Sequence, residues 1–267
     1  MKTAVITGGT RGIGAGLVKH FLKEDFNVAF SGSSEESVNK ALNHLPEGYP
    51  VNRILAAVCD VRKKEDLQNL WEKAYSTFGK VDIWVNNAGR ANMQENFHRI
   101  DAEIITGIID TNIKGLMLAT HVAYNNMLIQ GSGAIYNMEG LGSDGRMIRG
   151  LTPYGTSKRA VRYFTDAFAK EARDGPVLIG TISPGMVLTD MTLKPLIEKP
   201  EENRTLIRIY NILANDVDRV TPYLVRKMID NRKNGAKISW LNSWKIIERF
   251  LFYPLTRRDI VSKYLKG

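Results

Sequence analysis

Tyr154 and Lys158 stand four residues apart in a stretch, 154–173, whose pattern is helical, so both side chains fall on one helix face. A phenol with an unperturbed pKa of about 10 is a poor proton donor or acceptor at neutral pH. A lysine ammonium beside it stabilises the phenolate and draws that pKa toward the working range. The pair suits proton exchange with a carbonyl or hydroxyl oxygen, although the same spacing is common on ordinary helix surfaces. A second group lies near the other end of the chain, in Thr7-Gly8-Gly9-Thr10-Arg11-Gly12-Ile13-Gly14. It joins a short β-rich run, Thr3–Thr7, to a helical pattern over Gly12–Glu24. Glycines there let the backbone turn sharply and approach a pyrophosphate, which the free amides of the helix N-terminus would hold. Glycine-rich turns are frequent, but this one opens a strand–helix unit, where dinucleotide binding requires it. Its spacing is TGxxxGxG rather than GxGxxG.

Those groups need a scaffold, and the chain alternates short apolar runs with longer helical patterns. The runs Thr3–Thr7, Asn27–Ser31, Ile54–Val58, Val81–Val85, Ala134–Met138 and Val177–Ile182 read as buried strands. Helical patterns cover about 34–45, 63–78, 101–130 and 154–173. Strands spaced in this way imply crossover units and an α/β fold, a doubly wound parallel sheet covered by helices on both faces. With no repeat and no Pro/Gly/Ser-rich spacer, a single domain over 1–267 is predicted.

Composition narrows the function classes. In 267 residues, 43% hydrophobic and 24% charged is ordinary globular usage, which excludes disordered and fibrous chains. The one cysteine, Cys59, excludes an internal disulfide and a cysteine-rich metal site, and no metal is predicted. No apolar run reaches the roughly 18 residues of a membrane-spanning helix. The N-terminus lacks the pattern of a signal or transit segment, so a cytoplasmic protein is expected, or a mature form trimmed before this point. The net charge of +9 is uneven: residues 201–267 hold 14 Lys+Arg against 7 Asp+Glu, a net of +7. That basicity fits either a solvated surface or an anionic partner. Without a zinc-finger, basic-zipper or RNA-binding signature, no nucleic-acid partner is expected.

Taken together, Thr7–Gly14, Asp60 in Cys59-Asp60-Val61, Asn86-Asn87-Ala88-Gly89, Asn112, the Tyr154/Lys158 pair, and Pro184-Gly185 followed by Thr189 resemble the short-chain dehydrogenase/reductase family. They occur in the family's order from residue 3 to about 190. The resemblance implies a Rossmann-type sheet and a nicotinamide cofactor bound by Gly8, Thr10, Arg11, Gly12, Ile13, Gly14, Ser33, Ser34, Asp60, Val61, Asn87, Ala88, Gly89, Tyr154, Lys158, Pro184, Gly185, Val187 and Thr189. Asp60 would receive the adenine amino group, Thr189 the carboxamide, and Lys158 the nicotinamide ribose. Tyr154 would be the acid–base, and Asn112 would bend its helix and hold a proton-relay water. The implied activity is reduction of an aldehyde or ketone, in a homodimer or homotetramer.

Charge bears on the choice of cofactor. A carboxylate ending the second strand would bind a ribose 2′-hydroxyl and repel a 2′-phosphate. Here Phe30-Ser31-Gly32-Ser33-Ser34 carries none before Glu35, and Arg11 stands where the family's NADP enzymes often place a base, so NADP(H) is expected. Arg11 pointing idly into solvent is the alternative. The family's usual serine is missing about 13 residues before the tyrosine, where Glu139-Gly140 stands. Ser143 is the nearest hydroxyl and the candidate substrate-orienting group; Glu139 is either a substrate contact or a structural residue. The runs Asn137–Gly145, Tyr154–Arg159 and Ser183–Thr189 further resemble the chlorophyll b reductase branch, which reduces a formyl group on a chlorin ring. The resemblance places a substrate lid over about 186–215, whose apolar residues fit a hydrophobic substrate or simple packing. The aromatic tail, about 241–267, departs from the family. Its segment Leu241–Leu255 would pack in the core or at an interface, close over the site, or lie peripherally on a membrane.

Overall fold

The computed structural model describes the whole chain except Pro46, Glu47, Lys199, Glu202, Arg257, Lys266 and Gly267. Its elements, in chain order, are β1 (Thr3–Ile6), α1 (Gly12–Lys23), β2 (Asn27–Gly32), α2 (Glu35–Asn43), β3 (Ile54–Val58), α3 (Lys64–Phe78) and β4 (Ile83–Asn86). Next come α4 (Ala102–Ile109), a π-helical segment (Asp110–Gly115), α5 (Leu116–Gln130), β5 (Gly133–Met138), α6 (Thr152–Glu171), β6 (Val177–Ser183) and β7 (Val187–Leu188). The remainder is α7 (Asp190–Glu198), α8 (Arg204–Leu213), β8 (Asn215–Asp216), α9 (Val217–Asp230), β9 (Ala236–Ser239), α10 (Ser243–Thr256) and α11 (Ser262–Leu265).

Seven strands form one sheet in the order β3-β2-β1-β4-β5-β6-β9, every neighbouring pair parallel. The six predicted strands are present, and β9 adds a seventh at the edge. Alternate residues along each strand enter opposite cores, as the two-residue period of a strand demands. Ala4, Ile6, Val28, Phe30 and Tyr136 meet α1 and α9 through Leu17, Phe21, Val220 and Leu224. Val5, Ala29, Trp84 and Ile135 meet α3 and α5 through Leu67, Trp71, Val122 and Met127 on the other face.

The strand order reverses direction at β1, between β2 and β4. In such sheets the crevice at the carboxyl ends of the strands around this point is where ligands bind. The glycine turn follows β1 and Asn86–Gly89 follows β4, so both expected cofactor segments lie there. The helix predicted over 101–130 is interrupted by the π-helical turn, which contains Asn112. Such single wide turns are often found at functional sites.

A smaller parallel pair, β7 with β8, brackets the segment expected as a lid. Leu188, Leu193, Leu196 and Ala214 bury against Val261 of the tail, with Tyr210, Ile260 and Tyr264 at the margin. Most of the lid's apolar residues are therefore packing residues, while Met191 and Ile197 stay about half exposed. The tail divides. The α11 region closes the lid cluster, whereas Trp244, Leu251 and Leu255 of α10 face outward, 80%, 69% and 80% exposed. Among the described residues, no helix is long and apolar enough to cross a membrane.

Candidate active site

The glycine turn is shaped by its neighbours. Gly8 has φ +64, and a Cβ there would stand 2.8 Å from Ala88 Cα. A Cβ on Gly14 would strike the Gly8 carbonyl and the Asn87 amide. Gly12 also has positive φ, +54, and faces Thr189. Arg11 begins α1 with no side-chain cap, and the helix's first turn carries no acidic residue. This leaves amides and dipole free for an anion, so a pyrophosphate fits the cradle. The exposed Arg11 side chain has no hydrogen-bond or ion-pair partner among the described residues.

Other residues expected at the cofactor are committed to the protein itself. Asn87 Nδ2 donates to the carbonyls of Thr7 and Gly8 at 3.0 and 2.8 Å, stapling the β4 turn to the glycine turn. Thr7 Oγ1 accepts the amides of Asn87 and Ala88. The Asp60 carboxylate takes Arg62 Nη2 at 2.7 Å, and that pairing holds it below the ordinary carboxylate range. Ser34 Oγ caps α2 by accepting from Ser37 N at 3.2 Å, while Ser33 is exposed. Val61 packs beneath Gly115 of the π-helical turn. Gly185 has φ +69 and lies against Leu241, so the start of the tail abuts the loop that carries Pro184 and Val187. Thr189 opens α7 with its amide bonded to Thr192 Oγ1.

The acid–base group assembles from three elements. Lys158 is 4% exposed, and its Nζ donates to the Met138 carbonyl at 3.0 Å. Its amine lies 5.8 Å from the centre of the Tyr154 ring. A Cβ on Gly89 would sit 3.8 Å from the same amine, so the β4 turn reaches this pair. Asn112 Nδ2 donates to the Arg90 carbonyl and to Ser157 Oγ, and its Oδ1 accepts the Arg90 amide. Ser157 in turn donates to the Tyr154 carbonyl at 2.7 Å. The Asn112 side chain is thus spent on positioning. Ser157 escaped the sequence reading; a hydroxyl inside a helix next to a functional lysine is the signal that marks it.

Without the cofactor's positive charge, burial governs both members of the pair. Burial pushes the Tyr154 phenol up to about 12, helped by Tyr210 of α8, and burial pulls Lys158 down to about 8. Desolvation disfavours both charged forms. Tyr210 had no motif to announce it; the lid brings it to the site.

Lys158 is therefore unfavourable for folding whenever it must carry its proton. Its folded pKa lies below the unfolded 10.5, so stability rises as pH climbs from about 8 toward 10.5 and the penalty is full below 8. That penalty is of order 3 kcal/mol, offset by about 1 kcal/mol for the hydrogen bond to Met138. Lys158→Met is expected to raise urea-unfolding stability at pH 7 by about 2 kcal/mol, with the gain gone near pH 10.5. A variant less stable than wild type at pH 7 contradicts this.

Ser143 is 4% exposed; its hydroxyl donates to the Gly140 carbonyl at 2.5 Å and lies 3.5 Å from Glu139. Gly140 itself stands against the acid–base pair: a Cβ there would collide with the Tyr154 hydroxyl and crowd Lys158 Cε and Cγ at 3.2 Å. The serine usual in this region has no room at Gly140. Glu139 is ion-paired with Arg162, which favours its structural alternative over substrate contact.

Comparison with known proteins agrees with this geometry. Two rice proteins (Oryza sativa subsp. japonica) are similar: a probable chlorophyll(ide) b reductase, 31% identical over 92% of this chain and 51% of its own, and a chlorophyll(ide) b reductase, 35% identical over 83% and 64%. Both are described as chloroplastic, and the chain spans between about half and two thirds of their length. The structure of ElxO with NADP bound superposes with a TM-score of 0.79 at 26% identity, over 89% of this chain and 96% of that one. Residues 2–198 match the family profile described as short chain dehydrogenase. The chain therefore belongs to the short-chain dehydrogenase/reductase family, and within it resembles the chlorophyll(ide) b reductase branch.

Proposed function

We propose that the protein is an NADPH-dependent carbonyl reductase acting on an aldehyde or ketone. The observation that carries this reading is the convergence of Tyr154, Lys158 and the Asn112–Ser157 link beside the β4 turn, at the sheet's switch point. NADP(H), when bound, supplies the hydride. The first turn of α1, with Gly12, Ile13 and Gly14, would hold its pyrophosphate, and Lys158 its nicotinamide ribose. Tyr154 donates its phenolic proton to the carbonyl oxygen, and the Lys158 ammonium stabilises the phenolate left behind. Ser143, turning from the Gly140 carbonyl, would donate to the same oxygen and orient it. Met147 and Ile148, in the loop that follows Ser143 in the chain, are exposed apolar side chains that would suit a hydrophobic substrate.

The preference for NADPH rests on β2, which ends at Gly32 without a carboxylate, and on the unpartnered Arg11. Arg11→Ala is expected to weaken NADPH binding about tenfold, the worth of one charged hydrogen bond, and to leave NADH binding unchanged. Fluorescence titration of both cofactors checks this, and equal losses for the two would reject the Arg11 assignment. For the activity itself, NADPH oxidation is followed against a panel of aldehydes and ketones, apolar and polar. Tight NADPH binding without turnover of any carbonyl would instead indicate a cofactor-binding regulator.

A further inference from the structure

The helix face that carries Tyr154 and Lys158 continues at four-residue steps through Arg162 and Asp166. Arg162 Nη1 donates to Glu139 Oε1 at 2.5 Å, and its Nε donates to Asp166 Oδ2 at 3.0 Å. Lys237 of β9 closes the row on Asp166 at 3.0 Å. Glu139 is the first residue beyond β5; its amide is bonded to the Ile182 carbonyl, and its side chain is 7% exposed. It sits between the two contacts on which the acid–base pair depends. The residue before it, Met138, accepts the Lys158 amine, and the residue after it, Gly140, abuts the Tyr154 hydroxyl.

A buried ion pair is poor evidence of a stabilising role, since apolar residues of equal volume serve stability as well or better. Its location suggests another use. The charged and titratable groups that reach Lys158 are Tyr154 on α6, with Tyr210 of α8 beside the phenol, and Glu139 at the end of β5, which is held by Arg162 with Asp166 and Lys237 behind it. Of these, the Glu139 carboxylate is the charge that opposes the effect of burial on Lys158.

We propose that Glu139, tied in place by Arg162, is a positioning residue: its carboxylate keeps Lys158 in the ammonium form and anchors the Met138–Ser143 segment under Tyr154. This rests on reading Tyr154 and Lys158 as the acid–base pair.

The test is an NMR titration of cofactor-free protein carrying isotope-labelled lysine, with the Lys158 signal assigned by its loss in Lys158→Met. In Glu139→Gln the Lys158 midpoint is expected to fall by about one pH unit. Glu139→Asp, which retains the charge, restores it toward the wild-type value. Arg162→Met moves it the opposite way, upward, because a repelling charge is lost and the carboxylate is released; this variant decides the matter if Glu139→Gln does not fold. In turnover, the alkaline limb of kcat follows the same order. An unmoved midpoint in the folded variants, or a shift in one direction for both Glu139→Gln and Arg162→Met, overturns the proposal. The titration needs neither cofactor nor substrate, so a wild-type protein that reduces no carbonyl sinks the function reading and leaves this one to be judged separately.

Discussion

Tyr154→Phe should lower kcat by about 10²–10⁴-fold, the usual contribution of a positioned general acid, while NADPH still binds. The change removes one oxygen and leaves the ring that fills the space beneath Gly140 and beside Lys158. Burial holds the phenol's pKa at about 12, so at neutral pH the group is a proton donor, as reduction requires. Unfolding stability should change little, because no hydrogen bond of that hydroxyl is recorded among the described residues. Turnover, NADPH affinity and thermal midpoint measured together make the assignment checkable. Loss of activity accompanied by loss of fold would say nothing specific to chemistry, but full activity in a folded Phe variant would sink the assignment of Tyr154.

The second large effect is expected at a residue with no side chain. Gly140→Ala introduces a Cβ where the Tyr154 hydroxyl lies, with Lys158 Cε and Cγ at 3.2 Å. The colliding atom is the end of a tyrosine side chain, so it can move, and overpacking of this kind costs about 1–3 kcal/mol. The displaced atom is the proposed proton donor, and misplacement by about 1 Å can cost 10²-fold in rate. We therefore expect kcat to fall roughly 10²-fold with a modest drop in thermal midpoint. Gly140→Ser should be equally impaired, even though it supplies a hydroxyl in the region where the family resemblance implies one. Wild-type kcat in either variant would show that Tyr154 does not occupy its working position in this arrangement.

The second expectation turns on a contact that no sequence pattern displayed. The displaced serine was visible in the sequence as a departure; its reason was not. Gly140 and Tyr154 are 14 residues apart across a loop, and only the packing of that loop onto α6 shows that the glycine has no room for a side chain. The same holds for Asp60 and Ser34. Their types and places suited the cofactor, yet one is held by Arg62 and the other caps α2. Tyr210 reaches the site from a lid whose apolar residues suited either a hydrophobic substrate or packing, with nothing to mark this tyrosine.

What the sequence determined by itself was of short range. The alternation of apolar runs and helical patterns dictated a parallel sheet buried on both faces, because crossover helices must cover it. The glycine turn after β1 and the four-residue step from Tyr154 to Lys158 are local geometry, legible wherever a strand or helix can be read. The tertiary structure decided the electrostatics and the neighbours. Burial, which raises the Tyr154 phenol and lowers Lys158 in the cofactor-free protein, depends on residues far away in the chain. So does the pairing of Glu139 with Arg162, 23 residues onward, since only the docking of α6 against the end of β5 brings a carboxylate, two cations and a phenol into one desolvated space.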